Sequence, residues 1–103
     1  MLRWTGNYFV GEGISNPKAI QAKIELGKRT SGIYLLTFSN NKDNLMELLP
    51  AKMLQQKPVY ERCPEIFGMA MGKDGAIELG TKILMDCYRT NGNYCLIEYL
   101  KNR

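Results

Sequence analysis

Residues 66–80, IFGMAMGKDGAIELG, hold the reading on which the fold turns. Ile66 to Met71 is an apolar run of strand length, bounded by Gly72. From Ala76 onward the apolar positions change period: Ala76, Gly80, Ile83, Leu84 and Cys87 recur at helical spacing until Asn91-Gly92. The pattern predicts a strand over 66–71 and a helix over 74–90, capped by Asp74 and ended by Gly92. Many proteins hold a phosphate at such a strand-to-helix corner. A P-loop requires G-x-x-x-x-G-K-[ST], in which the hydroxyl ligates magnesium. Counted from Gly68, Gly72-Lys73 arrives one residue early, and Asp74 puts negative charge where the hydroxyl is needed. The G-x-G-x-x-G pattern also fails, because Gly72 and Gly75 lack the third glycine and Gly11-Glu12-Gly13 is only a fragment. The stretch reads as a tight corner between a strand and a helix.

Working outward, IYLLTFS (33–39) is a strand with bulk on both faces: Ile33 and Leu35 on one, Tyr34, Leu36 and Phe38 on the other. A strand of that kind is central and covered on both sides. LRWTGNYFV (2–10) reads as a strand bulged at Gly6. Between them, ISNPKAIQAKIELGKRTSG predicts a helix over 17–29, with Asn16 or Ser15 as N-cap and Pro17 in the first turn. Lys28-Arg29, the only adjacent basic pair, would complement the dipole at its C-terminal end. YCLIEYL (94–100) reads as a closing strand.

The segment 40–65 is harder. SNNKDN is polar loop, and Leu45, Met46, Leu48 and Leu49 follow at helical spacing until Pro50, which predicts a short helix near 43–49. Residues 58–66 carry two prolines and suit an irregular or edge segment. The order β-α-β, insertion, β-α-β gives one α+β domain over 1–103. The expected plan is a β-α-β-β-α-β, ferredoxin-like sandwich: two helices on one face of a four-stranded sheet, with a long, partly helical insertion between strands two and three. A small parallel α/β unit, or an insertion that adds a strand, are the alternatives.

Composition narrows the function. The chain of 103 residues contains no histidine. That excludes Ser-His and Cys-His nucleophiles, histidine-containing zinc sites and the usual acid–base group near neutral pH. The three cysteines, Cys63, Cys87 and Cys95, are too far apart for a CxxC pair and read as small apolar residues in a reducing cytoplasm. No metal and no cofactor is expected, and no catalytic residue stands out. The net charge of +4 is spread over scattered cations rather than a basic stripe. The third strand also lacks the alternating aromatics of an RNA recognition module, offering only Phe67. Nucleic acid is therefore not the expected partner. With no apolar run of membrane-spanning length, neither is a membrane.

YFVGEGISNP, GIYLLTFSNNKDNLMELLPA, and GMAMGKDGAIELGTKIL followed by TNG resemble a group of small cytoplasmic proteins from low-GC Gram-positive bacteria, some encoded near mobile elements. The resemblance implies location and compactness; it carries over no activity and no catalytic residue. The expected function is that of a non-enzymatic interaction module, pairing with a second copy or another protein. Its candidate surface is Leu45, Leu48, Leu49, Met53, Leu54 and Tyr60, apolar residues on an insertion that must cover a sheet bulky on both faces. A small-molecule or nucleotide-phosphate binder using Asn16, Lys73 and Asp74 at helix starts is the alternative. An RNA-binding domain is the second.

Overall fold

A computed structural model describes residues 2–41 and 44–101. Strand β1 (Trp4–Val10) leads into helix α1 (Pro17–Glu25), then strand β2 (Ile33–Thr37) and strand β3 (Glu47–Pro50). A 3-10 turn (Ala51–Gln55) and helix α2 (Lys57–Arg62) follow, then strand β4 (Ile66–Met71), helix α3 (Gly72–Asn91) and helix α4 (Leu96–Lys101). The strand order is β1-β4-β2-β3, with β1 parallel to β4 and the other neighbours antiparallel. The protein is thus α+β, built on a four-stranded mixed sheet.

Burial explains why both central strands are apolar throughout. On one face Ile33, Leu35, Ile66 and Met69 pack with Ile24 of α1, with Leu54 of the 3-10 turn, and with Cys63. On the other, Leu36, Phe67 and Ala70 pack with Ala76, Ile83 and Cys87 of α3 and with Leu96 and Tyr99 of α4. The two predicted helices therefore lie on opposite faces, not on one, and the layers run helix, sheet, helix. Ile20 and Ile24 do not meet Ile83 and Leu84; they belong to different cores.

The ferredoxin-like order is corrected at a second point. Residues 96–101 form α4 rather than a closing strand. As a strand, Leu96 and Leu100 would share a face with charged Glu98, and Ile97 and Tyr99 would need a second apolar face. As a helix, Leu96, Tyr99 and Leu100 fall together at i, i+3, i+4 spacing, leaving Ile97 and Glu98 to solvent. The fourth strand comes instead from the insertion. Leu48 and Met46 pack on the α3 side while Leu49 packs on the α1 side, the alternation of a strand. Thus 47–50 is β3 where a helix near 43–49 was predicted; positions 42–43 of that prediction lie outside the described residues.

Local signals account for the element ends. The Asn16 side chain accepts from the Ala19 N–H at 3.2 Å, so α1 begins where predicted. It stops at Glu25, short of Lys28-Arg29, because Gly27 turns the backbone left-handed. At the head of α3 the cap is Met71, which has no capping side chain, and Asp74 sits in the first turn rather than before it. β1 and β4 fall out of register between Trp4 and Phe9, where Asn7 takes φ +56°; the predicted irregularity is there, one residue beyond Gly6. A second shift falls between Leu36 and Thr37 on β2, so that Phe67 and Gly68 of β4 both turn toward α3.

Candidate interaction surface

The glycine corner comes first. Gly72 adopts φ +74° and its N–H donates to the Gly32 carbonyl at 2.6 Å, which locks the start of α3 to the start of β2. The N–H that would greet a phosphate is already used. The adjoining notch holds only about 110 Å³, and Glu12 and Glu78 line it beside Lys82. Both the space and the charge oppose an anion there. Lys73 and Asp74 are exposed at this end of α3, and Asn16 is committed to its cap.

The predicted apolar surface divides. Leu49 and Tyr60 pack on the α1-side core, and Leu54 is buried within it. Met53 is half-buried. Leu48 is half-buried on the α3 side, and Leu45 is 47% exposed at the approach to β3. These six residues do not form one patch, since β3 sends its side chains to opposite faces of the sheet.

A different patch lies beside Leu45 and Leu48, and it comes mostly from α3. With about 100° per residue, the buried positions Ala76, Gly80, Ile83 and Cys87 set the inward direction of the helix. Leu79 lies toward β1, sharing a groove with Phe9, whereas Gly80 faces Met46. Ile77, Leu84 and Tyr88 continue around the helix on the Gly80 side, the side of β3. Ile77 is 46% exposed and Tyr88 53%. Tyr94, 47% exposed, packs its ring on Tyr88 with centroids 5.0 Å apart and shares a groove with Leu45. The sequence could have revealed this stripe. Ile77 and Tyr88 are large apolar residues on a helix whose opposite stripe already fills the core.

The electrostatics of the core thiols argue against covalent chemistry. Burial pushes the Cys63 thiol up, with Arg3 opposing. Burial also raises Cys87, helped by its neighbours Cys95, Asp86 and Glu98. Both donate weakly to backbone carbonyls, Cys63 to Pro64 at 3.3 Å and Cys87 to Asn93 at 3.5 Å. A nucleophilic cysteine needs the reverse shift. Cys95 is exposed. Among the described residues no group of three or more histidine, cysteine, aspartate or glutamate side chains is placed to hold a metal. Nor is any helix among them long and apolar enough to cross a membrane. Comparison with known protein families, curated proteins and solved structures returns no match for this chain, so geometry alone carries the functional argument.

Proposed function

We propose that the chain is a self-associating interaction module, pairing β3 to β3 across a two-fold axis with the α3 flanks packed together. The observation that carries this is an edge strand bordered by apolar helix surface. Among the described residues, β3 ends the order β1-β4-β2-β3 and is bonded only on its β2 side. Natural edge strands are guarded by lysine, bulges or inward charge. β3 pairs with β2 without a register shift and carries no lysine; its guards are its shortness and Pro50.

Self-pairing fits this strand. An antiparallel pair centred on Leu48 keeps both Leu48 side chains on the α3 face and sets each Glu47 opposite a Leu49, so no like charges meet. The same axis makes the contact isologous, bringing each α3 flank to its own copy. Four residues give few backbone bonds, so Leu45, Ile77, Tyr88 and Tyr94 must supply most of the roughly 1,000 Å² that a specific interface needs.

The test is sedimentation equilibrium of the parent and of Ile77→Glu/Tyr88→Glu, with circular dichroism to check folding. Both positions are exposed, so the substitutions leave the monomer core untouched. A concentration-dependent dimer in the parent and a folded monomer in the variant are expected. A parent that stays monomeric at about 0.5 mM, where even a weak specific dimer should appear, would overturn the reading, as would a variant that remains dimeric.

A further inference from the structure

The sheet end opposite the glycine corner is where β1, β3 and β4 begin and β2 finishes. Two grooves run side by side across it. One, of about 590 Å³, passes between β3 and α2, with Leu49 and Val59 as apolar wall and Arg62 at its border. The other, of about 530 Å³, lies between the start of β1 and α4, lined by Arg3, Phe38, Leu100 and Lys101. Asn40 and Pro64 line both, so the two form one trough. Volumes of this size are those of small-molecule sites.

The polar groups of the trough are satisfied unequally. Both carboxylates are engaged: Glu65 accepts from the Thr5 hydroxyl at 2.5 Å, and Glu47 accepts from the Ser39 hydroxyl at 2.8 Å and the Asn44 amide at 3.1 Å. Among the described residues, the side chains of Arg3, Arg62 and Lys101 make no hydrogen bond or ion pair. Three exposed cations thus line the trough against two carboxylates, and none of the three is paired with either. Phe38 lines the same groove as Arg3 and Lys101, its ring held by Phe67 with centroids 5.1 Å apart. Phe67 is fully buried and fixes that ring from below.

We propose that this trough binds a nucleoside monophosphate. A phosphomonoester near neutral pH carries close to two charges, and along the trough Arg3, Arg62 and Lys101 offer three cations against the carboxylates of Glu47 and Glu65. The arginine fork and the lysine point charge suit phosphate oxygens. A flat base finds an aromatic face at Phe38, with the Asn40 amide beside it as donor and acceptor. An uncharged ligand would answer none of the three cations. The trough does not include the α3 flank, although one of its grooves borders β3.

The experiment is a titration of the full chain followed by amide NMR shifts, with adenosine monophosphate, adenosine and inorganic phosphate as separate probes. The monophosphate should saturate below about 1 mM and shift residues near Phe38–Asn40, Glu65 and Leu100. Losing one charge-assisted contact costs about tenfold, so Arg3→Gln and Lys101→Gln should each weaken binding by about that factor. Lys82→Gln, remote from the trough, should not. Adenosine and phosphate alone should each bind at least about tenfold more weakly than the whole molecule, because each makes only part of the contacts. Equal binding of phosphate alone, shifts located elsewhere, or indifference to both substitutions would overturn the proposal, as would no saturable binding.

Discussion

Gly68→Ala is the substitution that best tests how the sheet meets α3. Gly68 lies on β4 beside the register shift that turns both it and Phe67 toward α3. A Cβ there would stand 3.1 Å from the Leu36 Cβ and 3.4 and 3.5 Å from its two methyl carbons. Leu36 and Phe67 are both fully buried. The closest atom is the root of the leucine side chain, so rotation about χ1 cannot relieve that contact; β2 or β4 must shift. Overpacking of this kind costs about 1–3 kcal/mol. Alanine's smaller loss of chain entropy returns about 0.5–1 kcal/mol of that. The net expectation is destabilisation of about 1 kcal/mol and at most about 2.5 kcal/mol, each kcal/mol lowering Tm by about 4–8 °C for a chain of this length. Urea unfolding followed by circular dichroism measures it, with m compared between variants to establish that only stability has changed. An alanine variant as stable as the parent, or more so, would mean that the layer between Leu36 and α3 has room and that the shift in register is not set by Gly68.

Gly75→Ala supplies the opposite sign: its Cβ would meet nothing within 4 Å and the residue is helical, so stability should rise by about 0.5–1 kcal/mol in the same urea assay. Cys87→Ser should cost about 1–3 kcal/mol by placing a hydroxyl in an apolar core, whereas Cys95→Ser should be neutral. In native protein a thiol reagent should modify Cys95 first, which mass spectrometry of the labelled peptides would reveal. Because burial raises the Cys63 and Cys87 thiols, the native state holds their protons more tightly than the unfolded chain. Stability should therefore fall as pH rises past about 8.5, the ordinary thiol pKa, and a Cys63→Ala/Cys87→Ala variant should show a shallower fall in urea titrations across that range.

The elements that could be read from sequence are those in which one period dominates. β2 and β4 are apolar on both faces at strand length, and α3 carries Ala76, Gly80, Ile83 and Cys87 on one stripe; both readings hold. Where two periods fit the same residues, burial decided. Leu48-Leu49 satisfies a helix or a two-faced strand, and only cores on both sides of the sheet make the strand better. YCLIEYL satisfies a strand only if its second face is apolar too, and it became the helix that hides Leu96 and Tyr99. The single wrong premise behind both was that the two long helices share a face. Nothing in the period of either helix says which side of a sheet it will take; that depends on chain direction. β1 and β4 run parallel and β2 runs against both, so β2 starts at the end where β1 finishes. α1 therefore need not carry the chain back across the sheet, and its nine residues, about 13.5 Å, are not asked to. Once α1 covers one face and α3 the other, the insertion is free to extend the sheet. The result is an edge strand and a sheet-end trough, neither of which a one-sided sandwich would have offered.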